Sequence, residues 1–424
     1  MPGGADPQPD SRLDRRLGTF DAVVIGLGSM IGAGVFAAIG PAAAAAGGGL
    51  LIGLALAALV AYCNATSSAQ LAAVYPASGG TYVYGRKRLG HLWGFLAGWG
   101  FVIGKTASCA AMALTFGSYA APDLARPLGV GAVVALTAVN LRGVQKTAWL
   151  TRVIVSVVLG ALAVVVASAL AGSPSTSNIG PLTDGGLRGI LEAGALLFFA
   201  FAGYARIATL GEEVRDPAHT IPRAIPIALG VTLVVYATIA VAALCAVGPA
   251  TLASSSAPLT AVAEAGGIGW APPIVRVGAT VASLGVLLSL LVGVSRTSFA
   301  MAAEGDLPRW LDAVHPTHRV PHHAELAVAV AVIAVVLVAD VRGAIGFSSF
   351  AVLFYYAVAN ASAFTLTGEE RRWPRSLTVV GLIGCAILGF ALPASSIVGG
   401  VALLAAGAAV WAVRQRRGRA PVSS

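Results

Sequence analysis

The sequence predicts an all-α polytopic membrane protein of about twelve transmembrane helices: two five-helix units in inverted repeat plus two extra helices. Three observations carry this. The chain is 57% hydrophobic and only 11% charged over 424 residues, whereas a soluble domain is about 25% charged. Its mean hydropathy of +0.84 is spread along nearly the whole length, so no soluble domain with a single anchor fits. Finally, two apolar segments, one opening each unit, are broken by glycine: Leu27-Gly-Ser-Met-Ile-Gly-Ala-Gly-Val-Phe36 and Phe198-Phe-Ala-Phe-Ala-Gly-Tyr-Ala-Arg206. A spanning helix can give up backbone hydrogen bonds at bilayer depth only where a cavity, a ligand or neighbouring protein satisfies them. Two such breaks at matching places point to a binding site at the membrane midplane.

Stretches long and apolar enough to cross the hydrocarbon fall at 19–43, 49–74, 92–121, 127–141, 150–172, 189–212, 224–248, 271–300, 324–341, 346–366, 376–392 and 394–413. A unit with an odd number of spans, when repeated, inserts its second copy upside down. The first unit is residues 19–172 and the second 189–366, joined by an extracellular loop at 173–188. Helices 11 and 12 fill 367–413, and the ends 1–18 and 414–424 are polar, the latter basic. The connections 172–188 and 248–270 are rich in Ser, Gly, Thr and Pro and read as solvated loops. Of the 27 lysines and arginines, 21 lie in the tails and the loops on their side, against four in the opposite loops (Arg126, Arg188, Arg276 and Arg342). The positive-inside rule then makes both termini cytoplasmic. Topology and contact with anionic lipid account for the net charge of +9, so it does not imply nucleic acid.

Three connections carry specific strings: Tyr75-Pro-Ala-Ser-Gly-Gly-Thr-Tyr-Val-Tyr84, Gly211-Glu-Glu-Val-Arg-Asp-Pro-Ala-His-Thr-Ile-Pro222 and Ser295-Arg-Thr-Ser-Phe-Ala-Met-Ala-Ala-Glu-Gly-Asp-Leu-Pro308. With the two breaks, in this order and over essentially the whole chain, they resemble the amino acid–polyamine–organocation transporter superfamily. The match is closest to its cationic-amino-acid-transporter-like and bacterial amino acid permease branches. The resemblance implies a five-plus-five inverted-repeat core and alternating access to an amino acid at the midplane. The alanine- and glycine-rich composition points to a bacterial source with a high-GC genome, and so to the plasma membrane.

At the first break, Gly28, Gly32 and Gly34 let a ligand approach the backbone. The half-helix that follows offers free N–H groups and a partial positive charge, which suit a carboxylate. By resemblance, the substrate carboxylate falls to Gly32, Ala33 and Gly34, with Ile31 beside them. Carbonyls freed near Met30 and from Phe199 through Ala200 to Ala202 and Gly203 would accept from an α-ammonium. By resemblance, Phe199 matches a gating aromatic, while Phe198 and Phe201 read as packing residues. Relatives that take cationic substrates often carry an acid just after the span 6 glycine, where this chain has Ala205 followed by Arg206. The acid placed within a span is Glu192, near its outer end. This favours a neutral amino acid over a cationic amino acid or polyamine.

Lys105 falls near the middle of span 3. A charge at the bilayer centre costs ~3 kcal/mol or more, so it commonly marks a pathway or a relay. Lys105 is therefore the candidate for proton coupling. Arg206 lies beyond the second break and cannot give up its proton, which makes it a fixed charge. The span 5 position where some proton-coupled relatives carry lysine is Val158 here, so that device does not transfer. Sodium, with Ser289 as a candidate ligand, is the less favoured ion. His315, His318, His322 and His323 crowd one loop without a cysteine, and a solvated loop is favoured over a metal site. Glu212 and Glu213, beside Arg215, read as a cytoplasmic gate or ion-pair network rather than a catalytic pair; Arg86, Lys87 and Arg88 are candidate partners, and nothing in the sequence chooses among them. The four cysteines read as small buried hydrophobes. No constellation for covalent chemistry occurs and no P-loop, so neither an enzyme nor a cofactor is expected. An uncoupled exchanger or facilitator stays open. A transporter-like sensor is the alternative of another class, and residues 1–18 and 413–424 are short for an effector domain.

Overall fold

The computed structural model describes residues 17–32, 34–75, 79–143, 148–208, 210 and 213–418. In chain order the helices are α1 (Thr19–Met30), α2 (Gly34–Ala46), α3 (Leu50–Val74), α4 (Thr81–Arg88), α5 (His91–Ala120), α6 (Ala125–Leu141), α7 (Ala148–Ala171), α8 (Gly186–Phe201), α9 (Ala205–Ala208), α10 (Pro217–Ser254), α11 (Pro258–Ala265), α12 (Ala271–Ala303), α13 (His322–Val338), α14 (Val341–Phe364), α15 (Arg375–Ala391) and α16 (Ala394–Gly418). Among the described residues, nine helical stretches are long and apolar enough to cross a membrane, accompanied by the shorter apolar helices α1, α13 and α15. The chain is a multi-pass membrane protein.

Local chemistry sets the helix limits. The α1 first turn carries Asp21, whose carboxylate accepts from the Gly18 N–H at 3.3 Å and suits the positive end of the helix. Asp340 caps α14 by accepting from Gly343 N at 3.0 Å. Gly90, at φ +102°, turns the chain between α4 and α5 through a conformation that side chains disfavour. Pro217 opens α10, where its missing N–H costs nothing. Gly248, at φ +72°, kinks the far end of α10 just before Pro249.

The connection 248–270 is not the solvated loop the sequence suggested. It continues α10 past the kink and then forms α11, whose Leu259, Val262 and Ala263 are buried. The Leu259 N–H donates to the Tyr119 hydroxyl at 3.3 Å, and that hydroxyl donates to the Phe36 carbonyl at 3.2 Å. Ser, Gly and Pro content reported the turns correctly but not the apolar face of the short helix between them.

Small residues set the helix spacing. A Cβ on Gly53 would lie 2.9 Å from the backbone of Gly194 and Ile190, so α3 and α8 touch main chain to main chain. The four cysteines are free and buried. One end of the bundle is basic, and its segments are tied together there. Leu17 and Val214 form a two-residue bridge, Arg152 pairs with Asp21, and Arg414 donates to the Gly305 carbonyl at 2.7 Å.

Candidate functional site

The first break lies between α1 and α2. Met30 ends α1, so its carbonyl is one of the orphan acceptors at a helix terminus. Ile31 closes the last turn through its N–H to the Leu27 carbonyl at 2.7 Å. Gly32 faces α12: a Cβ there would meet Val286 Cγ2 at 2.2 Å. Ala33 lies outside the described residues. At the second break α8 tightens into a single 3₁₀ turn, Ala202–Tyr204, before the short α9. Such a turn inside a helix often marks a functional hinge.

The two breaks are packed directly on each other. A Cβ on Gly203 would lie 2.3 Å from the Ser29 carbonyl oxygen and 2.8 Å from Met30 N. A Cβ on Gly34 would lie 2.7 Å from Ala200 Cα. Glycine at these positions is what lets the two chains approach within backbone contact. The structure therefore brings together Met30, Gly34, Ala200, Ala202 and Gly203. It buries Phe198 edge-on to Tyr356 (5.8 Å between ring centroids) and Phe201 edge-on to Tyr236 (5.1 Å). Phe199 is half-buried and packs against the core.

Hydroxyls satisfy the freed carbonyls. Tyr236, from α10, donates to the Met30 carbonyl at 2.5 Å and lies 3.2 Å from the Ala200 carbonyl. Tyr356, from α14, donates to the Ala202 carbonyl at 3.2 Å. Tyr204 stacks on Tyr356 with centroids 5.0 Å apart. Sequence reasoning missed these three tyrosines. Tyr204 sits inside the quoted motif, but Tyr236 and Tyr356 come from otherwise ordinary apolar helices.

Lys105 occupies the middle of α5 and is 8% exposed. The flanking turns hold α5 against α14: a Cβ on Gly104 would lie 2.5 Å from Ala351 Cβ, and Ser108 Oγ is 2.6 Å from Ser348 Oγ. No hydrogen bond or ion pair among the described residues joins Lys105 to the breaks. Tyr119, which does reach Phe36, lies fourteen residues further along α5, about 21 Å at helical rise. Arg206 is 43% exposed, with its guanidinium 3.6 Å from Glu213.

The structure gives partners to charged residues whose partners the sequence left open. Glu212 lies outside the described residues, and Glu213 faces Arg206. Arg86 pairs with Glu304 at 3.3 Å and Asp306 at 3.4 Å, and Arg88 with Glu370 at 2.5 Å. The reason is the placement of α4, which lies against α5 and α14. Glu192 holds Arg342 at 2.6 Å. It is not alone within the helices, since Glu325 is 6% exposed in the first turn of α13. Ser289 donates to the Gly285 carbonyl at 3.0 Å. His315 accepts from the backbone N–H groups of Thr317 and His318, each at 3.2 Å, and His323 Nδ1 is 2.8 Å from the Trp310 carbonyl.

Two glycine-packed helix breaks lie in contact, lined by backbone carbonyls that accept from tyrosine hydroxyls, in a bundle of apolar helices. A family model described as amino acid permease matches residues 17–412. The chain belongs to the amino acid permease family. It is 62% identical over 415 residues to a protein called an uncharacterized transporter in Mycobacterium tuberculosis, covering 97% of this chain and 94% of that one. A branched-chain amino acid permease of Bacillus subtilis is 30% identical over 341 residues, 74% of this chain and 73% of the relative. Human cationic amino acid transporter 4 is 27% identical over 398 residues, 88% of this chain and 62% of the relative. The family match spans both breaks and all three connecting strings. The junction of the breaks is thus the candidate site of this permease.

Proposed function

We propose that this protein is a secondary active transporter that imports a neutral amino acid across the plasma membrane by alternating access. In this reading twelve helices span the bilayer, α1 to α7 and α8 to α14 form inverted repeats, and both termini are cytoplasmic. The observation that carries it is the contact between the two breaks. Backbone carbonyls of Met30, Ala200 and Ala202 converge there, and among the described residues none that contacts them carries a carboxylate. An amino acid's ammonium finds oxygen acceptors, and its carboxylate finds the N-terminus of α2 at Gly34. A cationic side chain would lack an ionic partner there, which supports a neutral substrate despite relatives named for both kinds. Lys105 is the proposed proton-coupling residue, because it is a buried base in a helix packed against α12 and α14.

The test is uptake of a panel of labelled amino acids into proteoliposomes, with and without an inward proton gradient. Gradient-stimulated uptake of a neutral amino acid is expected. Equal uptake with and without the gradient would favour an uncoupled exchanger or facilitator. Uptake of none would overturn amino acid transport.

A further inference from the structure

Tyr236 touches both breaks at once, although it belongs to neither of the helices that contain them. It lies on α10, which packs along both α1 and α2. One turn earlier, Thr232 sits 3.8 Å from Met30 Sδ, so this face of α10 is applied to the first break over two turns. The Tyr236 hydroxyl lies between two carbonyls, Met30 at 2.5 Å and Ala200 at 3.2 Å. A Cβ on Gly34 would come within 3.0 Å of it. The ring is 2% exposed and edge-on to Phe201.

A phenol has one proton to give, and an ammonium has three. The hydroxyl can fully satisfy one of the two carbonyls at a time, whereas a primary ammonium in the same place satisfies both. A buried carbonyl without any donor is costly. A transporter that crosses the membrane with substrate and returns without it must therefore supply a donor on the return.

We propose that Tyr236 is that donor. Its hydroxyl stands in for the substrate's ammonium on the Met30 and Ala200 carbonyls while the carrier returns without substrate, and it yields them when the amino acid binds. This rests on the transport reading above and deepens it. Tyr236 is a positioning residue for the returning carrier, and it makes net uptake possible without obligatory exchange. The substrate must be a primary amine, since each N-methyl group removes a donor the carbonyls need.

The experiment compares two rates in the same proteoliposomes: net uptake into vesicles without internal substrate, and counterflow exchange into preloaded ones. In the wild type the two rates should be comparable, because the return step is assisted. In Tyr236→Phe exchange should persist while net uptake falls about tenfold, the factor expected for one hydrogen bond lost from a rate-limiting barrier. Apparent affinity for the amino acid should rise, because the competing donor is gone. Equal loss of both rates in Tyr236→Phe, or no change in either, would overturn the inference. So would wild-type exchange far faster than wild-type net uptake, a readout that does not depend on the variant's folding. A wild type that transports no amino acid in either assay removes the transport reading itself and this inference with it.

Discussion

The junction of the breaks and the basic end of the bundle are held together by different forces. At the junction the contacts are main chain on main chain, at Gly203 against Ser29 and Gly34 against Ala200, sealed by tyrosine hydroxyls on carbonyls. At the basic end the contacts are charges. Asp306, 7% exposed, accepts from Tyr82 at 2.7 Å and pairs with Arg86 at 3.4 Å and His91 at 3.2 Å. Trp411 donates to the other ring nitrogen of His91 at 2.6 Å. That bond makes Nδ1 the acceptor and leaves Nε2 to donate to Asp306, so α16 is tied through α5 to the end of α12. The difference follows from the surroundings. Deep in the bundle an unpaired charge is expensive, and dipoles can hold a zwitterion without leaving one behind. At the end, water can replace an ion pair when it opens, so charged clasps can be made and broken.

This comparison predicts a gradient of effects. The largest belongs to Gly203→Val, whose side chain would press on backbone that cannot turn aside. It should cost at least the ~1–3 kcal/mol of an overpacked core and abolish transport, measured by thermal unfolding in detergent and by uptake. Unimpaired uptake would break the claim that the breaks are in close contact. Next comes Lys105→Ala, which should abolish stimulation by a proton gradient while counterflow exchange persists. Retained stimulation would move coupling elsewhere.

At the basic end, Asp306→Asn should cost about 1.5–3 kcal/mol, the range for hydrogen bonds to a charged group, seen as a lower unfolding midpoint. Exchange should remain measurable, and its complete loss would place Asp306 in the transport path. The smallest effect concerns Glu370. Its carboxyl is held below the ordinary 4.5, first by the Thr367 N–H and then by Arg88. A carboxylate depressed on folding stabilises above its unfolded value and loses that contribution as pH falls through the folded value. Below pH ~4.5 the wild type should therefore lose stability that Glu370→Gln has already lost, and their melting curves should converge. Curves that stay parallel to pH 3 would remove the pair from the account.

Both breaks were legible in the sequence because glycine within an apolar span has few uses besides close backbone approach. Gly34 and Gly203 make that approach, to Ala200 and Ser29. The donors that complete the junction were not legible. Tyr236 is the one tyrosine of α10 and Tyr356 follows Tyr355 in α14, and only tertiary packing brings them to carbonyls distant in the chain. The clasp was half legible. Asp306 stood in a quoted string, but its pairing with Arg86 depends on how α4 lies on the bundle, which no periodicity reports. The buried face of α11 was hidden for a related reason, since eight residues are too few to show a helical period among turn residues.

In the transport reading, the backbone at the two breaks recognises the two charged groups common to amino acids. Equilibrium binding of the best transported amino acid to the purified protein, competed by its amide and by its N-acetyl derivative, tests this most directly. The parent amino acid should compete and both blocked analogues should fail, each by about a hundredfold or more, as expected when buried polar groups lose their partners. Blocked analogues that compete as well as the parent would show that recognition rests on the side chain and would contradict the assignment of the site.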